Sequence, residues 1–192
     1  MTAPVRAFDA DKCFFGVAIG LVTDRDDPSG EGRVRLRYPW FSDDMTSEWA
    51  RVAQPYAGNG FGFYWVPEVD SEVLVGFERG DMRFPVVLGG LYNGKDLPPF
   101  PLGASTDPKV IQTQAGHRIL FEDKDGQQKI EIVDASGNNS ITIDTTSSKI
   151  SITASGDISV EASGKLTLSG QTGVEISSPA AVTVRGATIG LN

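Results

Sequence analysis

Cysteine and histidine are almost absent from this sequence, and the chemistry that depends on them is correspondingly restricted. Cys13 is the only cysteine and His117 the only histidine among 192 residues. A single cysteine excludes an intrachain disulfide, and it favours a buried structural thiol over a reactive one. A nucleophilic triad would need His117 as its base, and no cluster has the spacing of metal ligands. We expect no catalytic residue, no metal and no cofactor, and we expect His117 to be packed or hydrogen-bonded.

Long apolar runs are also missing. The longest, residues 14–22, is far too short to span a bilayer. The first residues lack the charged start and apolar centre of a secretory signal. We therefore expect a chain that is made in the cytoplasm without a signal peptide.

An excess of basic residues is absent too, which argues against a nucleic-acid partner. The net charge is -8, and polyanion binders usually carry a positive surface. Arg33, Arg35 and Arg37 do alternate with apolar residues and predict a strand with one positive face. The acidic surroundings favour a solvated or salt-bridged face over a nucleic-acid interface.

Aromatic residues disappear from the last third of the chain. All three Trp, four Tyr and ten Phe lie at or before Phe121, which predicts a globular head followed by a fibrous part. Residues 93–108 contain four prolines and are interpreted as a linker. The predicted domains are a head at 1–92, this linker, and a needle at 109–192. The needle comprises a neck at 109–148, regular repeats at 149–185 and a tip at 186–192.

An eight-residue repeat organises residues 149–185. In each of its five units two apolar residues flank one small or polar residue, which predicts a short half-buried strand with both apolar side chains on one face. Turn residues separate the units, as is typical of a β-solenoid. We predict a needle interior made of Ile150, Ile152, Ile158, Val160, Leu166, Leu168, Val174, Ile176, Val182 and Val184.

One chain buries too little apolar surface in such a repeat to offset the entropy of ordering its backbone. We therefore predict that several chains wind together. Three chains form a triangular prism that closes every strand edge and is filled by aliphatic side chains, so the expected state is a homotrimer.

In the head, the sequence pattern predicts strands at 14–23, 33–38, 49–53, 73–77 and 84–91, separated by turn-rich segments. Five strands without helices favour a small barrel of the OB-fold type. Between the third and fourth strands lies a loop rich in glycine and aromatic residues, which does not match a phosphate-binding motif. As contacts to a partner we predict Gly58, Asn59, Phe61, Phe63 and Tyr64.

Five segments resemble the trimeric central spikes of contractile tails and injection machines, namely phage baseplate assembly protein V and the spike part of VgrG proteins. They are residues 32–40 (GRVRLRYPW), 49–56 (WARVAQPY), 66–77 (VPEVDSEVLVGF), 84–93 (FPVVLGGLYN) and 116–121 (GHRILF). The resemblance implies an OB-fold head, a triple-stranded β-helix and a role in piercing the target cell envelope when a sheath contracts. The chain would be assembled into a phage virion baseplate or a secreted injection particle.

The resemblance also implies partners. VgrG proteins carry a hub region ahead of the OB-fold, and the short segment before the first strand here leads us to expect a separate hub protein. Some phage spikes hold an iron ion at the tip with a His-x-His motif, which one histidine cannot supply. We expect instead a tip-capping protein of the PAAR-repeat type, docked on Ile189, Leu191 and Asn192.

Two other classes of protein compete with the spike. A trimeric adhesin or receptor-binding fibre would share the needle but would not need an OB head. A cell-wall hydrolase could use a carboxylate pair among Glu68, Asp70 and Glu72, although solvated turn charges explain these residues better.

Overall fold

Strands make up nearly all the regular structure of the computed structural model, which describes residues 13–100 and 108–190. The described residues contain one 3-10 turn at Glu78–Gly80 and no α-helix. Among them there is no helix that is long and apolar enough to cross a membrane. The chain divides into two compact units, the first ending at Pro108 and the second beginning at Lys109. The all-β class that the alternating pattern predicts is confirmed.

The first unit contains eight strands. They are β1 (Val17–Asp24), β2 (Arg35–Tyr38), β3 (Ser42–Thr46), β4 (Arg51–Val52), β5 (Ala57–Gly58), β6 (Phe61–Gly62), β7 (Glu72–Phe77) and β8 (Pro85–Gly90). The five strands predicted for the head correspond to β1, β2, β4, β7 and β8. Strand β3 and the β5–β6 hairpin were not predicted.

The strands of the first unit curl into a barrel. The sheet order is β3-β2-β1-β7-β8-β4, and β4 runs parallel to β8 whereas the other neighbours are antiparallel. A bridge between Val34 and Ala50 joins the segments that precede β2 and β4, with N–H···O distances of 3.0 and 2.8 Å. This bridge closes a ring of five strands, as the OB-fold prediction requires.

Apolar side chains that alternate along the strands fill the barrel. The buried cluster consists of Val22, Val34, Leu36, Tyr38, Ala50, Val73, Val75 and Val87. Arg35 and Arg37 occupy the alternate positions on β2, because successive side chains of a strand point to opposite faces. Arg33 lies two residues before this strand.

The second unit begins with an antiparallel meander of five strands. They are β9 (Lys109–Gln112), β10 (Arg118–Glu122), β11 (Lys129–Val133), β12 (Ser140–Asp144) and β13 (Lys149–Thr153). Each strand pairs with the next one along the chain. The predicted neck strands therefore exist, and within one chain they form an open sheet.

Beyond Thr153 the repeats do not form strands within the single chain. Only the first unit, Ile150 to Ile152, lies in a strand, and every residue from 155 to 190 is exposed. In one chain the last four units have no neighbouring strand to complete a hydrogen-bonded ladder. The half-buried strand expected in every unit therefore stays a prediction for several chains wound together.

Candidate functional site

One face of the meander carries two rows of apolar side chains, which we call the neck face. Cross-strand partners share a face of a sheet, and the register aligns Ile111, Ile119, Ile132, Ile141 and Ile152 in one row and Phe121, Ile130, Ile143 and Ile150 in the other. Their exposed fractions range from 37% at Ile119 to 70% at Ile150. Nine large apolar side chains on one exposed face are typical of an interface.

The opposite face carries charged side chains beside the buried Leu120 and Val133. Glu122, Lys129, Asp144 and Lys149 alternate in sign across four neighbouring strands. A hydrogen bond from the Ser147 backbone lowers the pKa of Asp144. A slip of one residue would move these charges to the apolar face, so the two faces together specify the register.

The ten residues predicted for the needle interior are all exposed in the single chain, with fractions from 52% at Val182 to 70% at Ile150. The structure places Ile150 and Ile152 at the end of the two neck-face rows. The predicted interior therefore continues a surface that the sheet has already built. Sequence reasoning did not include the seven neck-face residues that precede Ile150, although their alternation was visible in each strand.

The residues predicted to contact a partner lie on and next to the β5–β6 hairpin. Its turn is Asn59-Gly60, and Gly60 has a φ of 79°. An Asn-Gly pair with a positive φ is typical of a tight two-residue hairpin. Gly58 and Phe61 pair across the hairpin. The Tyr56 and Phe61 rings lie 5.3 Å apart. The hairpin thus presents an aromatic pair to solvent.

Phe63 and Tyr64 follow the hairpin and line a cleft of about 600 Å³ together with Phe61. Tyr64 is 76% exposed, and its ring packs against Gly32, where a Cβ would lie 2.9 Å from Cε2 of Tyr64. Gln54 Nε2 donates to the Trp65 carbonyl oxygen at 3.0 Å and fixes the base of the loop. The structure therefore brings all five predicted contact residues into one region.

Asp27 fixes the loop between β1 and β2 that forms the other wall of this cleft. Its carboxylate accepts hydrogen bonds from the backbone N–H groups of Ser29, Glu31 and Arg33, and from Nε and Nη2 of Arg33 at 3.0 and 2.9 Å. Chiefly because of the Arg33 side chain, the pKa of Asp27 lies well below its usual range. Sequence reasoning missed this clamp.

The arginine stripe is engaged within the chain. Arg33 pairs with Asp27, which confirms the salt-bridged interpretation for this residue, and Arg35 stacks over the Trp49 ring at 4.9 Å. On β4, the exposed Arg51 pairs with Glu78 at 3.1 Å.

Three of the residues considered for catalysis, His117, Glu68 and Glu72, have a partner within the chain. The backbone N–H of Ala135 donates to Nδ1 of His117 at 3.2 Å, which confirms that this histidine is hydrogen-bonded. Glu68 forms an ion pair with Arg25, and Glu72 accepts a hydrogen bond from Asn93. Within residues 13–100 and 108–190, no group of three His, Cys, Asp or Glu side chains could hold a metal ion.

Of the predicted tip residues, Ile189 is described and is half exposed. Leu191 and Asn192 lie outside the described residues.

Comparison with known proteins addresses the first unit most directly. Residues 18–92 match the family described as the type VI secretion system/phage-baseplate injector OB domain. This range covers the ring of five strands.

Several curated relatives are spike proteins. The chain is 36% identical over 109 residues to the type VI secretion system spike protein VgrG4b of Pseudomonas aeruginosa, covering 52% of this chain and 14% of that protein. It is 33% identical over 108 residues to the spike protein VgrG3 of Vibrio cholerae, covering 52% of this chain and 11% of the relative.

A third relative is the actin cross-linking toxin VgrG1 of Vibrio cholerae, 32% identical over 108 residues that cover 52% of this chain and 10% of the toxin. The matched part therefore spans between a tenth and a seventh of these three proteins. The barrel and these matches confirm the resemblance seen in the sequence: residues 18–92 match the injector OB domain of the type VI secretion system and phage baseplate, and the chain is similar to VgrG spike proteins.

Proposed function

We propose that this chain is a structural spike of a contractile injection particle and that three copies wind together through the neck face and the repeats. The observation that carries the proposal is the continuous series of exposed apolar residues that starts on the meander and extends through the repeats. Within the described part of one chain this surface stays exposed. Three copies can turn it inward, which places the ten predicted interior residues on the axis.

The role we assign to the assembled spike is to pierce the target cell envelope when a sheath contracts. Support comes from the injector OB domain and from relatives whose names include the word spike. The toxin name of one relative describes a protein of which the match covers 10%, so it provides no reason to assign a toxic activity here. We propose a mechanical role without catalysis.

The head binds a hub protein of the baseplate through the aromatic hairpin region. Phe61, Phe63 and Tyr64 are exposed around a cleft, and aromatic residues are enriched where proteins bind one another. The nearby Arg33 and Arg35 already have partners within the chain, so they favour a protein partner over nucleic acid.

The segment around Ile189 docks a capping protein, for which the resemblance suggests the PAAR-repeat type. Ile189 follows the repeats and is half exposed, so it offers an apolar contact from each of three chains.

The proposed function is tested by measuring the mass of the purified chain with light scattering and then presenting it to the baseplate proteins of its own particle. We expect three times the mass of the chain, and we expect Phe61→Ser to reduce capture of a baseplate protein at least tenfold. Leu97→Ser changes an exposed apolar residue outside the hairpin region and should leave capture unchanged. A monomer would contradict the spike, and an intact trimer with undiminished capture would place the hub contact elsewhere.

A further inference from the structure

Asn59 and Gly60 form the turn of the β5–β6 hairpin without a contact that restrains the asparagine amide. Both residues are exposed, and a Cβ built at Gly60 would meet no atom within 4 Å. Among the hydrogen bonds of the described residues, none involves the Asn59 side chain or the Gly60 backbone N–H. The amide carbon and the nitrogen that can attack it are therefore both available.

The reaction open to this pair is an intramolecular acyl transfer, since adjacent residues supply both the nucleophile and the carbonyl carbon. The Gly60 backbone nitrogen attacks Cγ of Asn59 and gives up its proton, the Cγ–Nδ2 bond breaks, and ammonia leaves. Water then opens the cyclic imide at one of its two carbonyl carbons, which gives aspartate or isoaspartate. Glycine favours the attack, because it has no side chain to block the approach and few restrictions on its backbone.

The sequence contains a second Asn-Gly pair, Asn93-Gly94, whose amide is held in place. Asn93 Oδ1 accepts hydrogen bonds from the backbone N–H groups of Lys95 and Asp96 at 2.8 and 2.7 Å. Its Nδ2 donates to Glu72 Oε2 at 3.1 Å. Attack on Cγ would have to disrupt these bonds, and a half-buried polar group that loses its partners costs free energy. The second pair is therefore protected.

Aspartate before glycine can form the same imide by losing water, and the sequence contains one such pair, Asp125-Gly126. There the Gly126 N–H donates to Gln128 Oε1 at 3.1 Å, so the attacking nitrogen is engaged. In Asn93-Gly94 the amide is engaged instead. Of the three pairs, Asn59-Gly60 is the one in which, within the described structure, both reacting groups are free.

We propose that Asn59-Gly60 is a site of spontaneous modification, at which the folded protein converts the asparagine amide to a carboxylate. The product carries a negative charge beside a cleft that already contains the Glu31 side chain. Isoaspartate also adds a methylene group to the main chain within a two-residue turn, which disturbs the pairing of Gly58 with Phe61. The modification is independent of the proposed function, whereas its effect on hub binding rests on that function.

Timed peptide mapping of the full chain tests the proposal. The purified protein is incubated in mildly alkaline buffer, mass spectrometry follows the conversion of Asn59 and Asn93, and an isoaspartate methyltransferase labels the isoaspartate that forms. We expect Asn59 to convert at least tenfold faster than Asn93. The matched reference is the same chain in guanidinium chloride, where neither amide is held and both pairs should convert at similar rates.

Two results would overturn the proposal. One is a folded chain in which Asn59 stays intact over a period that converts it in the unfolded chain. The other is an equal rate at Asn59 and Asn93 in the folded chain, because the hydrogen bonds of Asn93 would then not decide where the reaction occurs. Neither result would affect the spike.

Capture of a baseplate protein measures the consequence for the proposed function. We expect aged wild type to lose capture, relative to fresh wild type, in proportion to the converted fraction. Fresh and aged samples of Asn59→Gln should capture equally, because the larger ring that glutamine must form closes much more slowly. Conversion without loss of capture would support the modification and place the hub contact elsewhere. An equal loss in aged Asn59→Gln would show that the modification does not control hub binding.

Discussion

Replacing Leu166 with aspartate is the most direct perturbation of the proposed spike. Leu166 lies in the middle unit of the repeat and is 53% exposed in the single chain. In three wound chains the substitution would place three carboxyl groups around one apolar axis. Burial and mutual repulsion both disfavour the ionised form of such groups.

The size of the effect follows from the exposed half of the side chain. Full burial of a leucine side chain contributes about 1.5–3 kcal/mol, so the exposed half accounts for about 1 kcal/mol in each chain and about 3 kcal/mol in the trimer. A loss of about 3 kcal/mol weakens association roughly 100-fold, before the cost of burying the carboxyl groups is added.

The acidity of the new carboxyl groups gives the prediction a second readout. Burial raises their pKa above the ordinary aspartate value of about 3.9. The protonated form is the one that the trimer tolerates. Assembly should therefore recover as the pH falls through the raised pKa, and it should be lost as the pH rises above that value.

Analytical ultracentrifugation over a range of protein concentration and pH measures both effects. The matched control is Thr167→Asp, which introduces the same charge on the adjacent residue, predicted to face outward. We expect the control to remain trimeric at neutral pH. A Leu166→Asp variant that stays trimeric with an unchanged melting temperature would show that Leu166 points outward and that the predicted register is wrong.

Two further predictions concern the neck face and the loop clamp. Ile132→Ser should weaken the trimer by about 1–2 kcal/mol per chain, whereas Thr142→Ser on the opposite face should change stability by less than about 0.5 kcal/mol; equal losses in thermal unfolding would contradict the assignment of the faces. Asp27→Asn should speed amide hydrogen exchange in the β1–β2 loop, whereas Asp26→Asn should not. Arg33 depresses the pKa of Asp27. The hydrogen bonds of the Asp27 carboxylate should therefore stabilise the wild-type loop above the ordinary aspartate pKa, and this stabilisation should be lost as the pH falls through the depressed pKa. A wild-type loop whose exchange, corrected for intrinsic rates, is unaffected by acid would refute this.

The barrel could be predicted because, on most of its strands, the apolar residues that alternate with polar ones in the sequence are the ones buried in the structure. Val34, Leu36 and Tyr38 alternate with arginines, and all three are buried. Strand β3 has no such pattern, since its sequence SDDMT contains one large apolar residue. The hairpin did have a local signal in Asn59-Gly60, but its strands are only two residues long.

The neck strands were predictable from their sequence, but the two rows of the neck face were not. Alignment across strands depends on the length and geometry of each turn. Each of the four turns contains one residue with a left-handed φ, at Gly116, Gly126, Gly137 and Ser148. Three of these positions are glycines that a sequence reveals, whereas the serine gives no comparable signal.

The repeats show why a regular pattern in one chain is not sufficient to form its own structure. Strand β13 forms because β12 precedes it and supplies a complete ladder of partners. The unit at Ile158 and Val160 has the same apolar spacing and no ladder. Its hydrogen-bonding groups and apolar side chains can be satisfied only by strands that the same chain does not supply at that point.

An exposed apolar surface of this extent is an aggregation hazard in a monomer. In the proposed trimer the same surface becomes a core, and the two apolar rows of the meander are the part of it that the single chain already holds in register. In the proposed trimer the folded neck, which precedes the repeats in the chain, aligns the copies, and each following unit then extends a ladder that already exists.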